Sequence, residues 1–251
     1  MLILDFDGVL IDSVDEVAVS AINTIQGRLI TRREELPENY LETFRSNRFA
    51  ARRGADMPHL AKWCLENPLA QISRQSFAAF VDRNGDSSKQ IEQEFFQTRN
   101  HFVETAREAW LALNAPYYPL WNSIQKKDPR ELVVLTNKNR QAVLDIGAYF
   151  GVRFQAGNVF SGDGATSKEE NFDAIQNQFP SERYTFVDDS IENLHRISPF
   201  NTASKKVELC LASWGYVGPG DSKEAEQDGF QVISQESLVL LMSKCHSAVS
   251  P

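Results

Sequence analysis

The chain has 251 residues, of which 42% are hydrophobic, so it can bury a core and does not have the composition of a disordered protein. Its formal charge of −8, from 26 Lys and Arg against 34 Asp and Glu, argues against a general binder of nucleic acids or of anionic membranes. No window approaches the roughly 18 apolar residues of a membrane span, and no signal-peptide pattern is present. The three cysteines, Cys64, Cys210 and Cys245, have no CxxC spacing, which disfavours structural zinc and a disulfide framework. These features predict a soluble cytoplasmic protein.

The chain opens with a short apolar run that ends in two acids. In the stretch LILDFDG, residues 2–4 are apolar, and Asp5 and Asp7 follow them. The pattern predicts a buried strand with two carboxylates at its carboxyl end. Because ionised groups leave water only at a considerable cost in free energy, these acids require compensation nearby.

A helical region follows between residues 15 and 116. Apolar residues recur at helical spacing from Val14 to Ile25, and a second long helix is predicted between Lys89 and Asn114. Proline residues then interrupt the chain in the segment APYYPLW. The pattern predicts no strand in this region.

Short apolar runs alternate with helical stretches from Trp121 onward. The runs are ELVVLTN, GNVFSG, YTFVDDS, VELCLASWG and FQVIS. Such alternation is typical of parallel strands joined by crossover helices. The segment GYVGPGDSKEAEQDG, which precedes the last run, is predicted as an exposed loop.

These patterns predict an α/β protein of two domains. Residues 1–14 and 117–251 form a Rossmann-like core with a parallel sheet, to which the opening strand belongs. Residues 15–116 would form a helical domain inserted after that strand.

Polar residues follow three of the predicted strands at their carboxyl ends. They are Asp5 with Asp7, Thr136 with Asn137, and Asp188 with Asp189. In a doubly wound sheet, ligands bind beyond this edge. Carboxylates drawn together repel each other unless a cation lies between them, and hard oxygen ligands suit Mg²⁺. Such a metal would also hold a phosphoryl oxygen and leave one carboxylate free to attack phosphorus, with Lys168 supplying further positive charge.

Four segments match the motifs of a known superfamily in their order along the chain. They are DFDGVLIDS at 5–13, LTNK at 135–138, Lys168, and FVDDSIEN at 186–193, and SWGY at 213–216 is similar to a further segment near the end of related chains. The sequence resembles the haloacid dehalogenase (HAD) superfamily, in particular its phosphoglycolate phosphatase and β-phosphoglucomutase-like branch. The resemblance implies a HAD-type α/β core with an inserted helical cap.

The resemblance also implies catalytic roles. Asp5 would be the nucleophile and would form an aspartyl-phosphate. Asp7 would be the general acid/base, which protonates the leaving oxygen and later activates water. Thr136 and Lys168 would hold the phosphoryl oxygens, with Asn137 a weaker candidate for the same role.

A Mg²⁺ site is implied in the same way. Its ligands would be Asp5, Asp189 and the backbone carbonyl of Asp7, with Asp188 as an additional or outer-sphere ligand. Two positions depart from the family pattern. The lysine motif usually reads K-P-x-P where this chain has KEEN, and the fourth motif often ends in Asp where this chain has Asn193.

The sequence therefore predicts a Mg²⁺-dependent phosphatase that hydrolyses a small phosphorylated metabolite through phospho-Asp5. Two alternatives stay open. A sugar-phosphate phosphomutase of the β-phosphoglucomutase type would share every core residue, and a catalytically quiet HAD-like protein could bind a partner through its cap. A dehalogenase is disfavoured, because Asp7 supplies an acid/base carboxylate that dehalogenation does not need.

Overall fold

The computed structural model describes residues 1–84 and 88–244, and Cys245 lies outside these residues. The helices are α1 (Val14–Gln26), α2 (Tyr40–Asn47), α3 (Asp56–Glu66), α4 (Arg74–Asn84), α5 (Ser88–Ala112), α6 (Leu120–Ile124), α7 (Arg140–Tyr149), α8 (Lys168–Gln178), α9 (Ile191–Ile197), α10 (Asp221–Gln227) and α11 (Gln235–Lys244). The strands are β1 (Leu2–Leu4), β2 (Ile11–Asp12), β3 (Ala115–Pro116), β4 (Val133–Leu135), β5 (Val159–Phe160), β6 (Arg183–Asp188), β7 (Lys206–Ala212) and β8 (Gln231–Ile233). None of the helices within the described ranges is both long and apolar enough to cross a membrane.

The chain divides into two compact units. The first is Met1–Asp12 together with Pro116–Pro251, and the second is Ser13–Ala115. The first unit holds a six-stranded sheet, and the second consists of α1 to α5 with short 3₁₀ turns between them.

The sheet of the first unit has the order β5-β4-β1-β6-β7-β8, and its strands pair in parallel. The chain extends the sheet from β1 through β4 to β5 on one side, then returns to add β6, β7 and β8 on the other. Leu4 of β1 lies opposite Val134 of β4 and Val187 of β6. The carboxyl ends of β1, β4 and β6 therefore meet where the winding direction changes, which is where ligands bind in such sheets.

One face of the sheet packs on a hydrophobic cluster that includes residues of α8 and α9. Alternate strand residues point to this face, as the two-residue period of a strand requires. They include Ile3, Val133, Leu135, Tyr184, Phe186, Leu209 and Leu211. Phe172 of α8 is fully buried among them, with its ring 6.0 Å from that of Tyr184 and 5.0 Å from that of Phe200. This core fixes the sheet on which the polar strand ends are carried.

A second aromatic group anchors the residue between the first two acids. Phe6 is fully buried, and its ring lies 5.9 Å from that of Phe154, which also contacts Trp121 at 6.1 Å. The Trp121 indole donates a hydrogen bond to the carbonyl of Phe150. The side chain between Asp5 and Asp7 is therefore held in the core, and this holds both acids at the strand end.

The second unit is built around α1. Glu16 of α1 is fully buried, and Arg99 of α5 compensates its charge through two hydrogen bonds of 2.7 Å. The helix predicted between Lys89 and Asn114 is observed as α5, with non-helical backbone at Ala106 (φ −142°, ψ 53°).

The loop predicted before the last strand was wrong in part, because it contains α10. Asp221 begins this helix and accepts a hydrogen bond of 2.7 Å from the backbone of Gly218, and Ala225 on its inner side is fully buried. The helix has a single buried alanine, which is too little apolar pattern to be recognised in the sequence.

Burial predicts that two thiols are unreactive in the native protein. Burial raises the pKa of the Cys64 thiol and raises that of Cys210 to about 12. Because the thiolate is the reactive form, we expect neither residue to react with Ellman's reagent at about pH 8 in a Cys245→Ser variant, and both to react in denaturant. Rapid labelling of the folded variant would contradict this packing.

Candidate active site

Asp5 lies beside Asp188 because β1 and β6 are neighbours in register. The backbone amide of Asp5 donates to the carbonyl of Val187 at 2.9 Å, which extends the pairing one residue past Leu4. Asp188 is the last residue of β6, and both carboxylates are buried. Two carboxyl groups therefore lie side by side at a buried part of the sheet edge.

Lys168 compensates these two charges. Its ammonium contacts a carboxylate oxygen of Asp188 and lies 3.3 Å from Oδ1 of Asp5, and its side chain is 1% exposed. Lys168 is the first residue of α8, whose start is fixed by a capping box. The Ser167 hydroxyl accepts from the amide of Glu170 at 3.1 Å, and the Ser167 amide donates to the Glu170 carboxylate at 2.8 Å. The capping box therefore defines the backbone at Lys168 in a chain that lacks the prolines of the usual motif.

Asn193 satisfies the carboxylate of Asp188 from another side. Its side-chain amide donates to both oxygens at 3.1 Å, and the backbone amide of Ser190 donates to Oδ1 at 2.8 Å. Asparagine at this position thus acts as a donor to Asp188, a role that an ionised aspartate could not fill.

Asp189 is held by two glycines and one backbone amide. A Cβ atom on Gly8 would lie 2.4 Å from Oδ2 of Asp189, and one on Gly215 would lie 2.3 Å from its Cβ. The amide of Tyr216 donates to Oδ2 of Asp189 at 2.7 Å, and the Trp214 indole donates to the carbonyl of Val9 at 3.0 Å. The segment SWGY therefore packs against the loop after β1 and orients Asp189.

The end of β4 contributes three consecutive residues that differ in exposure. Thr136 and Lys138 are buried, and Asn137 between them is exposed. The amide of Lys138 donates to the Thr136 hydroxyl at 3.1 Å, and the Lys138 ammonium donates to Oδ1 of Asp7 at 2.9 Å. The residues after β4 therefore include the predicted phosphate-binding hydroxyl of Thr136, and one of them, Lys138, contacts the predicted acid/base Asp7.

No protein-family model matches the sequence, and no curated protein matches it either. Solved structures do match its fold. A predicted phosphatase from Clostridium acetobutylicum has a TM-score of 0.61 at 12% identity, with 97% of each chain covered. A predicted phosphoglycolate phosphatase from Haemophilus somnus has a TM-score of 0.59 at 15% identity, with 96% of each chain covered. A haloacid dehalogenase-like protein of unknown function from Agrobacterium tumefaciens has a TM-score of 0.55 at 14% identity, with 98% of each chain covered.

The chain has the haloacid dehalogenase-like fold. The predicted fold class, an α/β protein with a parallel sheet, is confirmed. At such low identity the likeness extends to the fold alone, and the roles of individual residues stay predictions.

Within this fold, the electrostatics of the site are dominated by burial of negative charge. Burial raises the pKa of Asp5 well above its usual range, and the neighbouring carboxylates of Asp188, Asp189 and Asp7 raise it further, against the opposing effect of Lys168. Burial alone would lower the pKa of Lys168, but the carboxylates of Asp188 and Asp5 outweigh it, so that pKa is raised. Lys168 therefore stays charged, whereas burial and the neighbouring carboxylates favour the neutral form of Asp5 unless a further cation is bound.

The donor set fits a hard divalent cation. Carboxylate oxygens of Asp5, Asp188 and Asp189 all lie within 4.8 Å of one another, and the three residues are buried. None of the described residues donates a hydrogen bond to the buried Oδ1 of Asp5, whose contact with Lys168 at 3.3 Å is an ion pair only. An unsatisfied buried oxygen among three carboxylates is the environment in which a cation such as Mg²⁺ is stabilising.

The structure brings most of the predicted site residues to one edge of the sheet. Asp5, Asp188, Asp189 and Lys168 form one group, and Asp7 joins the β4 end through Lys138. Asn137 is exposed, and its proposed contact with phosphate stays a prediction. Lys138 was missed, although it stands in the LTNK motif; its position two residues after the predicted phosphate-binding Thr136 was the available signal.

Close packing at Asp189 predicts that Gly215→Ala is destabilising. Gly215 is not in the left-handed region, so an added methyl group acts only through its collisions with Asp189 and with the carbonyl of Gly8, at 2.3 and 2.5 Å. Overpacking of this kind costs about 1–3 kcal/mol, measurable by urea unfolding. Gly157→Ala is the matched control, because a Cβ there meets nothing within 4 Å. Equal stability of the two variants would contradict this account.

Proposed function

We propose that this protein is a Mg²⁺-dependent phosphatase that hydrolyses a small phosphomonoester through an aspartyl-phosphate on Asp5. The observation that carries the proposal is the convergence of Asp5, Asp188, Asp189 and Lys168 at the carboxyl end of a parallel sheet. The fold supports it, since solved structures with this fold include predicted phosphatases.

Asp5, Asp189 and the backbone carbonyl of Asp7 would hold the cation, with Asp188 as an additional or outer-sphere ligand. When bound, Mg²⁺ offsets the negative charge of the phosphoryl oxygens. The Asn193 side chain donates a hydrogen bond to Asp188, and the Tyr216 amide donates one to Asp189. The protein itself therefore orients the two carboxylates. Outer-shell contacts of this kind typically tune metal affinity.

Asp5 performs the first displacement. One of its carboxylate oxygens attacks phosphorus, and the bond between phosphorus and the alcohol oxygen breaks as the new bond forms. Lys168 and the Thr136 hydroxyl hold phosphoryl oxygens during this step. Lys168 is the first residue of α8, whose start is fixed by the capping box, so its ammonium has a defined position for holding these oxygens.

Asp7 moves the proton in both halves of the reaction. In its protonated form it gives a proton to the departing alcohol oxygen. As a carboxylate it then takes a proton from water, whose oxygen attacks phosphorus and releases Asp5 and inorganic phosphate. Its side chain is 24% exposed, so water can reach it while Asp5 stays buried.

The helical unit, residues 13–115, is proposed to select the substrate. The substrate class is a small phosphorylated metabolite. The division into core and cap domains and the cytoplasmic location stay predictions.

Removal of the nucleophile is expected to abolish turnover. Asp5→Asn should lower kcat for p-nitrophenyl phosphate with Mg²⁺ by more than about 1,000-fold, because the amide cannot form the covalent intermediate. Asp173→Asn, which changes an exposed carboxylate on α8, is the control and should keep full activity. Activity retained in Asp5→Asn would overturn the mechanism.

A panel of sugar phosphates, phosphoglycolate and nucleotides separates the alternatives. Phosphate release supports the phosphatase, whereas an isomerised sugar phosphate without release would identify a phosphomutase. Absence of both turnover and Mg²⁺ binding in folded protein would indicate a binding protein.

Loss of one carboxylate is expected to weaken metal binding directly. Asp189→Asn should lower the affinity for Mg²⁺, measured by calorimetry without substrate, by more than about tenfold, since even outer-shell changes can have effects of that size. Asp173→Asn again serves as the control. Unchanged affinity in Asp189→Asn would remove Asp189 from the metal site.

A further inference from the structure

Lys138 is a buried lysine next to the proposed site. It follows β4, and its side chain is 2% exposed, whereas the preceding Asn137 is exposed. A buried ammonium is costly unless it is paired. A lysine in a strand-end loop could reach solvent at little cost, so its burial here points to a specific partner.

That partner is Asp7. The Lys138 ammonium donates to Oδ1 of Asp7 at 2.9 Å, and the two residues are 131 positions apart in the sequence. The exposures of the two side chains are unequal, at 2% for Lys138 and 24% for Asp7. The ammonium therefore lies on the protein side of the pair, and a molecule that arrives from solvent meets the carboxylate first.

We propose that Lys138 is the positioning residue for Asp7, which it holds in the orientation needed for proton transfer. The inference rests on the proposed function of Asp7 as acid/base. A carboxylate on a short side chain rotates freely unless one oxygen is fixed, and proton transfer requires hydrogen-bond geometry to the reacting oxygen. The hydrogen bond from Lys138 to Oδ1 restrains rotation of the Asp7 carboxylate. The arrangement resembles in principle the carboxylate that orients a catalytic histidine.

The two buried lysines of the site serve different acids. Lys168 contacts Asp5 and Asp188, which are the proposed nucleophile and a metal-site carboxylate, while Lys138 contacts Asp7. The proposed acid/base therefore has Lys138 as a direct cationic partner. A change at Lys138 can alter Asp7 and leave the contact between Lys168 and Asp5 in place.

The side chain of Lys138 can be tested separately from its backbone. Its amide donates to the Thr136 hydroxyl at 3.1 Å, and Lys138→Met keeps that bond while removing the ammonium. The linear methionine side chain fills much of the same buried volume. Lys127→Met is the matched control, since the Lys127 ammonium also makes a hydrogen bond, to the carbonyl of Met242, away from the site.

The kinetic test uses kcat and KM together. Lys138→Met should lower kcat by about 10–100-fold, in the range expected when a reacting group is misplaced. KM should change little, because the Lys138 ammonium is directed at Asp7 and, in this proposal, does not bind the substrate. Lys138→Arg should recover part of the loss, and Lys127→Met should behave as the unmodified protein. An unchanged kcat in Lys138→Met, or a change in KM with no change in kcat, would overturn the inference.

A double variant distinguishes positioning from a direct or merely structural role. In an Asp7→Asn background, Lys138→Met should cause little further loss of kcat, because the group that it orients is already absent. The loss in Lys138→Met should also be larger for an alkyl phosphate than for p-nitrophenyl phosphate, whose leaving group needs less protonation. Additive losses, or equal losses for the two substrates, would contradict positioning.

A structure of Lys138→Met separates failure of this inference from failure of the proposed function. If the unmodified protein turns over no phosphomonoester, the proposed function fails, and the position of Asp7 in the variant still decides the role of Lys138. Displacement of the Asp7 carboxylate in an otherwise unchanged core supports positioning. A carboxylate that stays in place without the ammonium overturns it.

Discussion

Asp5 and Asp188 stand side by side at the buried ends of adjacent strands, and the surrounding structure depends on how their charge is compensated. Their proximity follows from the register of β1 on β6, in which Leu4 lies opposite Val187. Both carboxylates are buried, so solvent does little to offset their charge. Positive charge is therefore stabilising here, and Lys168 supplies one such charge from the start of α8. The three carboxyl groups of Asp5, Asp188 and Asp189 outnumber this single ammonium, so a divalent cation would be stabilised among them.

The same constraint explains the precision of the local backbone. Asp189 packs so closely against Gly8 and Gly215 that neither position has space for a side chain, and this packing orients its carboxylate toward Asp5 and Asp188. Gly8 also has φ +83°, a conformation that favours glycine. Trp214 ties its own loop to the carbonyl of Val9, 205 residues away in the sequence. The acids are thus oriented by two loops that pack together, in addition to the strands that carry them.

Much of the fold and of the site could be predicted, because short stretches of sequence indicate both. The strand β1 appears as three apolar residues before two acids, and α8 begins where a serine and a glutamate form a capping box. The helix α10 was missed, because the eight residues between Gly220 and Gly229 are polar except for Ala225 and have the composition of a loop. Ala225 of this helix is fully buried, which the sequence does not reveal.

Lys138 shows the same limit within the site. In the sequence it is a charged residue after a strand, and solvent exposure is the ordinary expectation for such a residue. The sequence by itself determined where along the chain the strands that end in acids lie, the residue types available for the proposed phosphoryl transfer, and the helical insertion after β1. Only the tertiary structure decided which acid each lysine compensates. Ion pairs between distant residues depend on strand order and register, and these arise from packing of the whole sheet and from no local sequence signal.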